Sequence, residues 1–309
     1  MPMNRSQARV IDPVLSTIAL GYRNARYVGL SLMPVINCPK SGVRLIKFGK
    51  ESFVKYNMRR APGSDTATVQ YGYASDPIAL VQDSLNGKVP REWLRDTQDI
   101  PLINNATRAI NNVMNSVHLG LEIEIAEIAV DPTNYGNNNK VTLSGTDMWT
   151  NESSKLQQQM NAYKEAVRAQ IGIDPNKLTL TPGDFNACKE HPEVKERFKY
   201  TSAESITAEM LANFFELDEV VVGKAVWTPD ETSDLRDIWT ASVLAYVPPE
   251  SDREMDSPSF GYTYVLDDHP LVEEPYYNKG KKSWMYPVEY ERRPYMTSQA
   301  AGFLIQGAS

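Results

Sequence analysis

The sequence predicts an α+β fold, because helical and strand-like patterns occupy different parts of the chain. The longest helical pattern runs from Thr97 to Ala129, where apolar residues recur every three or four positions along one face. A second helical pattern covers Glu152–Ile171. After Trp227, short apolar runs alternate with acidic, proline-rich loops, and we predict them to be strands: Ile238–Val247, Phe260–Leu266, Trp284–Tyr290 and Gly302–Gln306.

Composition is that of an ordinary globular protein. The 309 residues are 41% hydrophobic and 23% charged, which is enough for one large or two small domains with a buried core. Two cysteines do not make a disulfide framework, and no apolar run approaches the roughly 18–20 residues that cross a bilayer. The N-terminus also lacks the apolar segment of a signal peptide, so we expect a reducing cytosol and no membrane partner.

Residues 1–40 are predicted to form an N-terminal arm with one short helix. Asp12 is suited to cap this helix, and Pro13 to occupy its first position. A narrow apolar stripe follows along one face. A single helix cannot bury such a stripe by itself, so we expect docking on another surface through Val14, Leu15, Ile18, Ala19 and Tyr22.

Residues 41–90 have the pattern of an extended hairpin. Val43–Gly49 and Ala67–Tyr73 alternate partly between apolar and polar residues, and Ile78–Gln82 is a further short strand. A turn-rich, charged tip lies between the first two, at Asn57–Asp65. A two-stranded ribbon with little apolar surface is marginally stable alone. The segment is therefore either a solvated hairpin or a projecting loop that neighbouring subunits stabilise.

The long helix is expected to begin at Asp96 or Thr97, both of which can cap it, and to end at Asp131–Pro132. Pro101 suits its opening turn, and Gly120 marks a candidate bend. At 1.5 Å per residue, such a helix is about 45 Å long.

Charge is distributed unevenly along the chain. Residues 1–60 hold eleven Lys and Arg against two acids, whereas residues 213–274 hold fifteen acids against three bases. Three explanations fit: the basic arm binds nucleic acid, it pairs with the acidic body of another copy, or the division is incidental. We favour pairing between copies.

The segment from Ile171 to Trp227 is the most informative one. Its pattern predicts a strand at Lys177–Thr181, a turn at Pro182–Gly183, a helix from Asp184, a capped helix at Ser205–Glu216 and a strand at Val220–Trp227. The residues Gly172, Pro175–Asn176, Leu178, Leu180, His191–Tyr200 and Ile206–Ala212 resemble the A-domain core of tailed-bacteriophage major capsid proteins of the Hong Kong 97 type.

That resemblance implies a specific division of the chain. It implies an N-terminal arm (1–40), an extended loop or E-loop (41–90), a P-domain with a spine helix at 97–129, and a mixed α/β A-domain (132–275). The P-domain would combine residues 91–131 and 276–309. Some family members carry a long N-terminal scaffolding segment; because the arm begins almost at once here, a separate scaffold or prior cleavage would supply that role.

The resemblance also implies function. The protein would be a structural subunit that assembles into hexamers and pentamers of an icosahedral head around double-stranded DNA, which it contacts non-specifically. Its other partners would be a scaffolding protein, a portal and decoration proteins. It would be made in the host bacterial cytoplasm and reside in the virion, with no enzymatic activity and no cofactor. The E-loop bases expected to meet a neighbour are Lys50, Lys55, Arg59 and Arg60, while the arm would clip onto a neighbour through Val14, Leu15, Ile18 and Tyr22.

Catalytic and metal-binding patterns are weak. The usual hydrolase, phosphate-loop, dinucleotide and zinc spacings are absent from the sequence. His118 is expected at a surface or interface, His191 at the start of a helix, and His269 beside two aspartates that do not converge easily on one ion. Cys188, near Lys189 and His191, is either an activated thiol or a half-buried helical cysteine, and we favour the second.

The aromatic and basic residues of the last forty positions fit either a nucleic-acid surface or strands at a protein interface, and we favour the interface. Three other functions stay open at this point. The same fold serves encapsulin-like compartments that hold enzymes; a soluble enzyme with an unrecognised site would form small oligomers; and a nucleic-acid-binding protein would use the basic arm.

Overall fold

The structure is a computed structural model that describes residues 11–22, 24, 26–44, 59, 77–96, 104–199, 205–230, 232–252 and 259–309. Within these ranges the chain is a mixed α+β fold, as the sequence predicts. Its helices are α1 Pro13–Gly21, α2 Gly29–Leu32, α3 Arg91–Asp96, α4 Asn105–Val130, α5 Leu156–Ile171, α6 Pro182–Glu190, α7 Pro192–Arg197 and α8 Ala208–Phe215.

The larger sheet is organised around one long strand. It contains β1 Val35–Cys38, β4 Val81–Pro90, β11 Gly261–Leu266, β12 Leu271–Val272, β13 Tyr276–Asn278 and the long strand β14 Ser283–Met296. Strand β4 runs antiparallel to β14 over ten residue pairs, and β13, β12 and β11 follow one another along its other edge. Strand β1 pairs parallel with β11.

The smaller sheet has five strands in the order β5-β15-β10-β6-β7. These are β5 Lys140–Thr142, β15 Gly302–Gln306, β10 Ser242–Ala245, β6 Lys177–Leu180 and β7 Glu219–Val222. Two pairs of strands stand apart from both sheets: β2 Gly42–Arg44 with β3 Pro77–Ala79, and β8 Val226–Trp227 with β9 Arg236–Asp237. The predicted Ile78–Gln82 strand is thus divided between β3 and β4.

Helix α4 packs one apolar face across the larger sheet. Ile110, Met114, Leu121 and Ile125 on that face are almost fully buried. Strand β4 approaches closely at Gly87, where an added Cβ would lie 3.2 Å from Ala109. Burial of this face, at about 25 cal/mol per Å² of apolar surface, stabilises the packing of the helix on the sheet.

The predicted start of this long helix is wrong. Helix α4 begins at Asn105, and the Asn104 side chain caps it by accepting a hydrogen bond from Thr107 N at 3.1 Å. Asp96 instead ends the separate helix α3, while residues 97–103 lie outside the described ranges. Apolar periodicity continues through a break between helices, so it cannot locate a cap by itself. The predicted end at Asp131–Pro132 is confirmed.

Other boundaries differ because proline, glycine and charge interrupt the patterns. The predicted strand Val220–Trp227 is two strands, β7 and β8, separated at Gly223–Ala225. Strand β14 extends well beyond the predicted Trp284–Tyr290, past Glu291, Arg292 and Pro294. Helix α5 begins four residues after Glu152, whereas β15 has the predicted bounds. The predicted strand Ala67–Tyr73 lies outside the described residues.

Candidate assembly surfaces

The N-terminal arm lies on the body of its own subunit. Asp12 Oδ1 accepts hydrogen bonds from Val14 N and Leu15 N, both at 3.0 Å, as a cap should. The buried face of α1 presents Ser16 and Ala19, and Ser16 Oγ accepts from Val272 N of β12 at 3.0 Å. Of the predicted docking residues, Leu15, Ile18 and Tyr22 pack against this body, whereas Val14 is 70% exposed.

The segment after α1 is held by an amide of α4. Asn115 Oδ1 accepts hydrogen bonds from Tyr22 Oη at 3.3 Å, Asn24 Nδ2 at 2.8 Å and Tyr27 Oη at 3.1 Å. The ring of His118, one turn further along α4, lies edge-on to Tyr22 and stacks on Tyr290 of β14. His118 is therefore half-buried between the arm and the larger sheet rather than at the outer surface.

A buried carboxylate fixes the next part of the arm. Glu122 of α4 accepts hydrogen bonds from Val28 N at 2.9 Å, Gly29 N at 2.8 Å and Trp239 Nε1 at 2.7 Å. Burial raises the pKa of this carboxyl, against the effect of the three hydrogen bonds. Glu122 could not be singled out from the sequence, where the only signal was an acid beside Leu121 on an apolar helix face.

The base of the predicted E-loop is anchored on the larger sheet by a small cluster of buried residues. Cys38, Ile78, Leu80, Tyr262 and Tyr264 form a second, small core there. Arg293 Nη1 donates a 3.1 Å hydrogen bond to Ala79 O of β3. A projecting loop would therefore leave the body from a fixed base at β2 and β3.

The E-loop bases are only partly within the structure. Lys50, Lys55 and Arg60 lie outside the described residues, and Arg59 is described as an exposed residue. Their expected contact with a neighbour stays a prediction.

Arg292 is a buried charge that joins α4 to the larger sheet. Its guanidinium lies 2.8 Å from Glu124 Oε2 and 3.1 Å from Asp83 Oδ2, and it donates to Val117 O at 3.4 Å. A Cβ added at Gly120 would lie 3.7 Å from Arg292 Nη2, an ordinary van der Waals distance, so the guanidinium packs over this position without requiring a glycine. The carboxylates of Asp83 and Glu124 are partly exposed to solvent, whereas the guanidinium of Arg292 is buried.

His191 and Cys188, the candidates for chemical reactivity, occupy positions that indicate structural roles. His191 caps α7 by accepting from Glu193 N at 3.3 Å, and its Nε2 lies 3.0 Å from Ser154 Oγ. Cys188 is fully buried, and burial raises the pKa of its thiol well above the usual value, which does not suit an activated thiol.

In the described part of the chain, no group of three or more His, Cys, Asp or Glu side chains could hold a metal ion. No helix among the described residues has the length and apolar character to span a membrane.

Comparison with known proteins identifies close relatives. No protein-family model matches the chain. The chain is 32% identical over 306 residues to the major capsid protein of Burkholderia phage BcepMu, which covers 98% of each chain. A phage-related protein from Bordetella bronchiseptica RB50, solved by crystallography, is 41% identical with a TM-score of 0.84, covering 98% of this chain and 99% of that one.

More distant solved structures share the fold alone. The capsid structure of cyanophage P-SCSP1u has a TM-score of 0.57 at 9% identity, over 93% of this chain and 89% of that one. An encapsulin from Synechococcus elongatus PCC 7942 has a TM-score of 0.51 at 11% identity, over 93% and 88% of the two chains. The fold therefore occurs in both phage capsids and encapsulins. The relative that is 32% identical over nearly the whole chain, in contrast, is a phage major capsid protein.

Proposed function

This chain belongs to the major capsid proteins of bacteriophages, and from that premise we propose how its surfaces build the shell. Its role is structural: copies of it associate with one another to form the icosahedral capsid of the virion. The identity to a major capsid protein along nearly the whole chain is the observation that carries this conclusion.

The proposed organisation is that of the Hong Kong 97-type subunit. Residues 1–40 would be the arm, 41–90 the E-loop, 91–131 with 276–309 the P-domain, and 132–275 the A-domain. The larger sheet beneath α4 and the smaller sheet beside it support such a two-part body. Strand pairing crosses the proposed bounds at several strands. Strand β4 of the E-loop range and strands β11 and β12 of the A-domain range pair with β14 in the larger sheet, while β15 of the P-domain range joins the smaller sheet.

Interlocking of neighbouring subunits would come from the E-loop and the arm. The loop would rise from its fixed base and lie across an adjacent subunit, with Lys50, Lys55, Arg59 and Arg60 facing acidic groups there. Val14, exposed on the docked arm, would contact a neighbour, while Leu15, Ile18 and Tyr22 hold the helix in place. Charge pairs of this kind fix partner and register more than they add affinity. Many weak contacts then give a cooperative shell.

The remaining partners follow from the role. We propose hexamers and pentamers as the units of the shell, a scaffolding protein and a portal during assembly, and double-stranded DNA held inside by non-specific contact. Decoration proteins would bind outside. Synthesis would take place in the host bacterial cytoplasm, and no catalytic step is required of the chain.

Electron microscopy of the purified protein tests the proposal. Negative staining is expected to show closed shells, and particles isolated from an infected or induced host are expected to contain DNA. Small oligomers in size-exclusion chromatography, with no shells under any assembly condition, would contradict the capsid role. Shells that hold an enzyme and no DNA would indicate an encapsulin-like compartment.

A further inference from the structure

One end of the larger sheet carries a compact group of exposed basic and aromatic side chains. The β13–β14 hairpin turns there, and Tyr277 of β13 pairs with Trp284 of β14, with their ring centroids 5.8 Å apart. Helix α3 meets the turn through a 3.2 Å hydrogen bond from Arg91 N to Lys282 O. We name this surface the basic–aromatic patch, formed by Arg91, Trp93, Lys279, Lys281, Lys282 and Trp284.

The patch is exposed and rigidly presented. Trp93 is 61% exposed and Trp284 is 38% exposed, and all four basic residues are exposed. The turn is fixed internally, because Asn278 Oδ1 accepts from Lys281 N at 3.0 Å and Ser283 Oγ donates to Lys281 O at 2.7 Å. Large exposed aromatic side chains with a polar rim are typical of protein interfaces.

A complementary surface lies elsewhere on the same chain. The β8–β9 hairpin, which we call the acidic hairpin, presents exposed Asp230, Asp234 and Asp237 against one exposed base, Arg236, together with two exposed apolar side chains. These are Leu235, 68% exposed, and Val226, 43% exposed. Asp230 accepts hydrogen bonds from Thr232 Oγ1 at 2.6 Å, Ser233 Oγ at 2.8 Å and Thr232 N at 2.8 Å, which lower its pKa to about 2 and keep it charged.

We propose that the basic–aromatic patch of one subunit binds the acidic hairpin of a second copy. The two surfaces match in both respects, since lysines and Arg91 would face aspartates while Trp93 and Trp284 would cover Leu235 and Val226. This inference rests on the proposed function, because a shell brings many copies of the chain into contact. It names a specific contact that the capsid role by itself does not require.

Double-stranded DNA is the competing partner for the basic residues. A duplex offers phosphates to Lys and Arg but keeps its bases stacked inside, so it would not cover the exposed ring surfaces of Trp93 and Trp284. The chain also has a formal net charge of −7, which disfavours general attraction to nucleic acid. The combination of charge and aromatic surface therefore favours a protein partner.

A charge-exchange experiment tests the contact. The double variants Lys281→Glu/Lys282→Glu and Asp234→Lys/Asp237→Lys are each expected to reduce shell yield about tenfold or more, because like charges then face each other. A chain that carries all four changes is expected to recover most of that yield. The control Lys155→Glu/Lys195→Glu makes the same change of charge as Lys281→Glu/Lys282→Glu, but at exposed sites away from the patch.

The readouts are shell yield by sedimentation and electron microscopy, with circular dichroism of the subunit to confirm folding. Unchanged shell yield in either double variant, or no recovery in the fourfold variant, overturns the inference. Normal shells from Lys281→Glu/Lys282→Glu that retain less duplex DNA would overturn it in favour of nucleic acid. Failure of the unmodified protein to form shells would instead speak against the proposed function.

Discussion

Trp239 Nε1 donates a 2.7 Å hydrogen bond to Glu122 Oε1 in the buried interior of the subunit. The bond joins the chain just before β10 to the middle of α4. The same carboxyl group accepts the backbone N–H groups of Val28 and Gly29 at the start of α2. One side chain therefore holds three separate parts of the subunit: the arm, the long helix and the approach to the smaller sheet.

Replacing Glu122 with Gln is expected to destabilise the subunit. An amide nitrogen cannot accept a hydrogen bond, so at least one of the three N–H donors loses its acceptor while it stays buried. Such a loss costs about 1–3 kcal/mol. Urea unfolding of the unassembled subunit at mildly acidic pH measures it. Glu127→Gln, an exposed position on the same helix, is the control and should change the free energy of unfolding little.

Glu122 should also give a distinctive pH dependence. Burial raises the pKa of the folded carboxyl above its usual 4.5, so the native state binds this proton more tightly than the unfolded state does. The stability contributed by this titration is then fully present below the usual pKa and is lost as the pH rises through the raised one.

The test measures the free energy of unfolding of wild type and of Glu122→Gln across a pH series. The contributions of other titrating groups cancel in the difference between the two proteins. The stability advantage of wild type is expected to be largest below pH 4.5 and to decrease as the pH rises from there through the raised pKa. A flat difference would show that the hydrogen bonds to the carboxylate balance the effect of burial on its pKa, and a difference that grows with pH would show that they outweigh it. Either result would contradict the prediction.

Gly223 should be intolerant of even one methyl group. An added Cβ would lie 2.2 Å from Trp239 Cδ1, and Trp239 is almost fully buried, so the indole would have to move. Gly223→Ala is expected to cost about 1–3 kcal/mol through overpacking. Gly136→Ala is the matched control, because a Cβ there comes no closer than 4.0 Å to Asn139.

The double variant Gly223→Ala/Glu122→Gln tests whether the cost of Gly223→Ala comes from movement of Trp239. If moving Trp239 breaks its hydrogen bond to Glu122, the double variant should lose less unfolding free energy than the sum of the losses in the two single variants. Strict additivity would mean that the indole accommodates the methyl group without losing Glu122.

Local signals predicted much of the fold. Asp12 followed by Pro13 predicted α1 and its cap, and the apolar repeat from Ile110 to Ile128 predicted the face of α4 that packs on the larger sheet. These signals suffice because a cap or an amphipathic face depends on residues within a few turns of one another.

Features that depend on distant partners could not be predicted in this way. The role of Glu122 depends on Val28, Gly29 and Trp239, which donate hydrogen bonds to it. The burial of Arg292 depends on the carboxylates of Glu124 and Asp83, which pair with it. The charges around Arg292 also broke the strand pattern, so β14 was predicted too short. Sequence separation, rather than weak propensity, is the common reason for these misses.

The E-loop charges give the last prediction, which concerns assembly rather than folding. Arg59 and Arg60 belong to the segment Asn57–Asp65 that the sequence predicts as the charged tip of the proposed E-loop, and Ile78, Leu80 and the hydrogen bond from Arg293 hold the described base of that loop. Reversing both arginines to Glu changes the tip without touching this base, so circular dichroism should stay that of the folded subunit. Shell formation should fall sharply, because a basic tip facing acidic neighbours becomes repulsive. The effect should weaken at high salt, which screens exposed charges. Lys155→Glu/Lys195→Glu controls for net charge, and normal shells from Arg59→Glu/Arg60→Glu in electron micrographs would refute the role of these two charges.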